Sequence, residues 1–340
     1  MIRAVVFHLG DFKTGSTAIQ TWLARHGAAR GLYLPVCHTP LALAQSLGNT
    51  VLRGRLFGDL ARELARAKGE VAVISAEHFE YADPANLAAV LAMQLPQHDC
   101  RLVAYVRPHP QALLSRYAES IKIGSFTGSL DAYLDWPQTL RQLHYAPRFA
   151  RWRAAFGDRF VLRLYDRARF AGGDVLSDAL GCFTGREVAE VLPGLGRVNP
   201  QPGTGDLAML VALHRAIGPL PAGSAAQAAR WTLGRHLGRL IAQEGTADTP
   251  LALDRALAQR LHDRFGADAD ALDAAFFADA PLRAALDAAR AAAPQSLPGE
   301  TLPPEAQRLA RIIGETLRSL LDHPDGPDLF DRAFHERHRD

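Results

Sequence analysis

Four short apolar runs, residues 2–7, 71–75, 101–106 and 160–165, punctuate the chain, with helix-like stretches between them. Continuous apolar runs of roughly four to eight residues belong to strands covered on both faces, and helical crossovers join such strands in parallel. The pattern predicts an α/β protein with a parallel sheet flanked by helices. From about residue 199 the character changes to Ala-, Leu- and Arg-rich helical periodicity, broken at 218–224, 246–250 and 293–305. The expectation is a core over residues 1–215 and a helical C-terminal extension over 216–340, packed on that core. The Ala-rich stretch 271–293 reads as a good helix, and residues 334–340 as a frayed polar tail.

Composition matters mainly for what it excludes. With 340 residues, 48% of them hydrophobic and 22% charged, the chain can bury a sizeable core. A net charge of +2 lacks the one-signed field of a nucleic-acid or membrane-surface binder, so a partner must be read locally. Cys37, Cys100 and Cys182 are odd in number and widely spaced, which argues against a disulfide framework and a structural zinc site. Met1 leads straight into the first strand-like run, so no leader is expected, and no stretch of about 18 apolar residues could span a bilayer. The expected location is the cytoplasm.

The first run leads into HLGDFKTGST, residues 8–17. A nucleoside-triphosphate P-loop needs its lysine directly after the second glycine, whereas Lys13 precedes Gly15. Lys13, Lys68 and Lys122 are the only lysines among 38 basic side chains, so a lysine in this loop suggests a need for a compact ammonium. Backbone N–H groups of a glycine-containing turn at a helix N-terminus form an anion site, to which Ser16 and Thr17 add hydroxyls. The helix is expected to begin near Gly15, capped by Ser16 and Thr17, with Ile19, Trp22 and Leu23 on one stripe. An ordinary tight turn with an exposed lysine is the alternative. The third run leads into YVRPHPQALLSRYAES, residues 105–120, where Arg107 sits at a strand's C-terminal end and Pro108 and Pro110 delay the next helix. Arg107 and Ser115 suggest a second anion site, against the alternative of an Arg paired with an acid.

Two anion sites on neighbouring strand ends suit a nucleotide with phosphates at two separated positions. At this point the pair resembles a known family: GDFKTGST is similar to the 5′-phosphosulfate loop, and VRPHPQALLSRY to the 3′-phosphate segment, of the sulfotransferases that use 3′-phosphoadenosine 5′-phosphosulfate (PAPS). FVLRLYDRARF resembles the later strand whose tyrosine lies near the adenine, and RVNPQPG an Asn-containing segment that closes the core in bacterial members. The resemblance covers residues 1–215 and implies a P-loop-NTPase-like sheet with PAPS as donor and no metal. It implies that Lys13, Thr14, Gly15, Ser16 and Thr17 hold the 5′-phosphosulfate, Arg107 and Ser115 the 3′-phosphate, and Tyr165 the adenine region. Two features depart from the pattern: Ala18 replaces an aromatic, and no Arg-Lys-Gly triplet occurs late in the chain.

Sulfuryl transfer also needs a base for the acceptor hydroxyl, with Lys13 neutralising the leaving phosphate. Glu77 and His78 follow the second run, where the resemblance implies a glutamate or histidine base. His38 is a further candidate, downstream of the loop. Each has the alternative role of a cap or structural hydrogen-bond partner. His236, His262, His323, His335 and His338 show no metal-ligand spacing. The function expected is PAPS-dependent sulfation of an acceptor hydroxyl on a carbohydrate or glycoconjugate. The alternatives are a P-loop-type kinase or NTPase, and a non-catalytic nucleotide-binding protein of the same fold.

Overall fold

A computed structural model describes all residues except 1, 12, 171–172, 187, 189–191, 193–201, 245–248, 298–301, 324 and 330–340. The segment RVNPQPG therefore lies largely, and the C-terminal tail with His335 and His338 wholly, outside the described residues. The described chain divides into two compact units, each discontinuous in sequence. One comprises Met1–Pro108, His144–Val198 and Gly266–Ala285; the other His109–Leu143, Asn199–Phe265 and Leu286–Asp340. The division at residue 215 expected from composition does not coincide with the limits of these units.

The first unit contains a five-stranded, all-parallel sheet in the order β2-β3-β1-β4-β5. The strands are β1 (Ala4–Leu9), β2 (Leu32–Tyr33), β3 (Val71–Ala76), β4 (Asp99–Val106) and β5 (Phe160–Leu164). Four of them fall on the four apolar runs, with ends displaced by one or two residues. The two-residue edge strand β2 is too short to produce a periodic signal. Side chains of β1 alternate between two covered faces. Val6 joins Ile19, Trp22 and Val103 in one core cluster, while Phe7 on the opposite face packs its ring against Phe57 and Phe79. Phe7 has no exposed surface, and its burial stabilises the fold by about 2–3 kcal/mol.

The register aligns one edge of the sheet. Leu9 is level with Ala76 and Ala104, and Val106 with Leu164. The residues that follow these strand ends, the Gly10–Thr17 stretch, Glu77, Arg107 and Tyr165, thus leave the sheet at the same edge. The helix after β1, Ser16–His26, buries Ile19, Trp22 and Leu23, matching the expected stripe. Its N-cap differs from expectation: Gly15, at φ 83°, occupies that position, and no side chain caps it. A left-handed residue is needed there, which a serine or threonine would adopt only with strain.

The second unit is helical among its described residues. Helices Thr204–Ile217 and Ala225–Glu244 flank the expected break at 218–224, and the break before Pro304–Asp322 is also where it was expected. Helix Thr204–Ile217 packs closely on Pro304–Asp322 at Gly314, where an added Cβ would lie 2.9 Å from the Leu213 carbonyl oxygen. The Ala-rich stretch 271–293 is not one helix. Arg255–Phe276 ends inside it and Pro281–Ala292 starts anew, with Ala280 at φ 45° between them. Alanine composition does not reveal such a stop, but Pro281 at the start of the second helix agrees with proline's preference for a first turn. No helix among the described residues is long and apolar enough to cross a membrane.

Candidate functional site

The site is built where the sheet order reverses. The chain proceeds from β1 to β2 and β3 on one side, then to β4 on the other, and ligands of open α/β sheets bind at the carboxyl ends beside such a reversal. The turn after β1 is tightly made: the Thr14 hydroxyl donates to the Asp11 carbonyl at 2.6 Å and the Thr14 N–H to the same oxygen at 3.3 Å. Thr14 is wholly buried. Lys13, at φ 70°, and Gly15 both adopt left-handed backbone. For lysine this conformation costs about 1–2 kcal/mol, which the surrounding turn must offset.

Gly10 is required by close approach. A Cβ there would lie 2.6 Å from Glu77 Cγ and 2.6 Å from Ser16 Oγ. Glu77 opens a 3-10 turn, Glu77–Tyr81, immediately after β3, and is half-buried, whereas His78 is exposed beside the Tyr81 ring. Ser16 Oγ is buried and has no hydrogen-bond partner among the described residues. The first N–H groups of its helix also lack intrahelical partners, as they do in any α-helix.

Arg107 and Tyr165 complete the group. The Arg107 guanidinium lies over the Tyr165 ring, 4.6 Å from its centroid. The same ring contacts the loop: a Cβ on Gly15 would meet Tyr165 Cε2 at 3.0 Å. Burial lowers the Arg107 pKa, and no carboxylate pairs with it among the described residues. Its Nε is buried without a hydrogen-bond partner. A cation taken out of water normally acquires a counter-charge. Here the counter-charge is not among the described residues, and the buried hydroxyl of Ser16 on the same loop is likewise unspent.

Two supporting clusters escaped the sequence. Arg148 forms an ion pair with Glu80 and approaches both oxygens of Asp11 at 3.4 Å, while its guanidinium lies 4.5 Å from the Phe149 ring centroid. Asp11 and Glu80 are almost fully buried, so Arg148 ties the start of the loop to the turn that carries Glu77. Beneath the loop, His8 Nδ1 is 2.8 Å from Ser75 Oγ, to which Gln20 donates at 3.2 Å. Burial pushes the His8 pKa down to about 4, so its imidazole is neutral at ordinary pH.

His38 lies apart from this group. His38 Nε2 lies 2.8 Å from Asp59 in a cleft beside the edge strand, with none of the loop residues lining it. Ser115 lies in the second unit, buried on helix His109–Lys122. That helix starts directly after Pro108 and contains Pro110, so the prolines position its start rather than delay it. Thr17 is exposed on the first turn of its helix. Among the described residues no cluster of three or more His, Cys, Asp or Glu side chains could hold a metal ion.

No protein-family model matches this chain, and comparison with curated proteins and with solved structures gives no match either.

Proposed function

We propose that the chain is a sulfotransferase of P-loop-like fold that moves a sulfuryl group from PAPS to an acceptor hydroxyl on a carbohydrate or glycoconjugate. The observation that carries this reading is Arg107: a half-buried guanidinium at a strand end, with no carboxylate partner among the described residues, joined through Tyr165 to a lysine- and glycine-containing loop. A ligand with two separated phosphate groups brings one of them to Arg107 and the other to the N–H groups of the loop. PAPS, when bound, provides the activated sulfuryl group and leaves as adenosine 3′,5′-bisphosphate.

The protein's own groups divide the work. Lys13 and the backbone N–H groups from Thr14 to Thr17 offset the charge on the departing 5′-phosphate, and Ser16 Oγ donates to it. Arg107 holds the 3′-phosphate through charge-assisted hydrogen bonds while stacked on Tyr165, which borders the adenine region. Glu77, packed against Gly10, takes the proton from the acceptor hydroxyl as the new oxygen–sulfur bond forms. His78, exposed on the same turn, contacts acceptor.

The test is incubation of the protein with PAPS and a panel of hydroxyl-bearing sugars, following release of adenosine 3′,5′-bisphosphate, beside ATP with Mg²⁺. Acceptor-dependent release that Glu77→Gln and Lys13→Ala abolish is the expected result. Turnover of ATP instead would establish the kinase-like alternative, and tight bisphosphate binding without release on any acceptor would favour a non-catalytic nucleotide-binding protein.

A further inference from the structure

A second constellation lies beside the edge strand β2, in an open cleft of about 680 Å³. That volume falls within the roughly 300–1,000 Å³ typical of small-molecule sites. The acids in the cleft are already engaged. Glu63 accepts from the Tyr33 hydroxyl at 2.7 Å and from the Val36 and Cys37 N–H groups at 2.8 and 2.9 Å. Asp59 is 2.8 Å from His38 Nε2 and forms an ion pair with Arg62. Arg66 and Lys68 also line the cleft, and neither has an ion-pair or hydrogen-bond partner among the described residues. Arg66 ends its helix, where a cation is favoured by the helix dipole, but Lys68 lies beyond the helix and has no such explanation.

The protonation pattern suits a polar ligand. The hydrogen bond to Glu63 pushes the Tyr33 pKa up to about 12, and burial pushes the Cys37 thiol up to about 12, so both are neutral. Burial works to raise the Glu63 pKa, yet the hydrogen bonds it accepts win and hold it down at about 2. The cleft thus offers fixed hydrogen-bonding groups and, in Arg66 and Lys68, two cations without an ion-pair partner among the described residues. An inorganic anion would use only the cations and leave most of the volume unfilled.

We propose that this cleft binds an anionic sugar, with Arg66 and Lys68 taking its carboxylate or sulfate and the His38–Asp59 pair hydrogen-bonding its hydroxyls. The site is separate from the strand ends: Lys68 precedes β3 and Glu77 follows it, and a six-residue strand is about 20 Å long. The inference does not depend on the donor reading. It assigns His38 to recognition of a ligand, not to proton transfer.

The experiment is isothermal titration calorimetry of the full chain with glucose 6-sulfate, glucuronate, glucose and inorganic sulfate. The anionic sugars are expected to bind at least about tenfold more tightly than glucose or inorganic sulfate, the worth of one charge-assisted contact. The glucose 6-sulfate and glucuronate arms tell which anion is preferred. Charge reversal by Arg66→Glu with Lys68→Glu is expected to weaken binding by about tenfold or more, and His38→Ala by a smaller factor. Both reversed residues are exposed, so the variant should retain its circular dichroism and thermal midpoint. Absence of anionic-sugar binding, equal binding of glucose or inorganic sulfate, or binding unchanged in the reversal variant overturns the proposal. Adenosine 3′,5′-bisphosphate titrated in parallel separates the two readings, because sugar binding without bisphosphate binding leaves the cleft standing and removes the donor site.

Discussion

Arg107 at the sheet edge and the arginines of the helical unit meet different fates. In the helical unit, Arg260 pairs with Asp131 and Asp135, and Arg264 pairs with Asp135 at 2.6 Å. Arg230, buried in that unit, directs its guanidinium to the carbonyls of Gly218 at 2.9 Å and His214 at 3.5 Å, the terminal carbonyls of a helix. At the sheet edge, Arg107 has neither an acid nor a carbonyl partner among the described residues and lies on an aromatic ring instead. An arginine whose guanidinium is engaged by acids or carbonyls within the protein braces it, while a half-buried one with neither among the described residues is placed to meet an anion from outside. That difference, more than the presence of an arginine at a strand end, separates a binding residue from a bracing one.

The largest effect that sharpens this contrast should come from Arg148, which is half-buried like Arg107 but paired. Arg148→Met removes the cation shared by Asp11 and Glu80, and a loss of about 3–5 kcal/mol of unfolding free energy is expected in denaturant titration. A loss below about 1 kcal/mol would mean that the pair does not brace the loop. Next in size is a pH effect. The His8 pKa is about 4 folded and 6.5 unfolded, and His214 in the other unit is likewise lowered to about 4 by burial and then by the nearby Arg230. The unfolded chain therefore binds more protons between these values, so stability is full above about pH 6.5 and declines as pH falls toward 4. Each histidine accounts for about 3 kcal/mol at most. Unfolding curves at pH 7 and pH 5 should show the loss, and His8→Gln should reduce it; a flat profile would contradict the buried neutral imidazoles.

Smaller still is the expected change from Gly10→Ala, about 1–3 kcal/mol, because the added methyl group meets Glu77 and Ser16. A neutral outcome in thermal melts would show that loop and Glu77 are not in contact. At the bottom of the scale stands Arg260→Ala, whose partly exposed pairs are worth about 1 kcal/mol or less each. Its nucleotide affinity should be unchanged.

The strand ends were legible in the sequence because each follows a short, mostly apolar run, and the parallel register then brings those ends together without further information. Lys13, Glu77, Arg107 and Tyr165 are all read in this way. Arg148 was not, since its partners Asp11 and Glu80 are 137 and 68 positions away and no local spacing encodes such a pair. His8 and Gln20 were hidden for the same reason, meeting only through Ser75 on the neighbouring strand. His38, a candidate by analogy with a region downstream of the loop, lies away from it because the chain leaves the sheet edge through helix Ser16–His26 before reaching it. The helix cap failed at a single residue, because Gly15 and Lys13 adopt a backbone that side-chain preference alone does not reveal.

The most direct test of the account is calorimetric titration with adenosine 3′,5′-bisphosphate of the native chain, Arg107→Ala and Arg260→Ala. The account predicts binding by the native protein, affinity lower by about ten- to a hundredfold in Arg107→Ala, and no change in Arg260→Ala. Equal affinity in all three, or no binding by any of them, would contradict it.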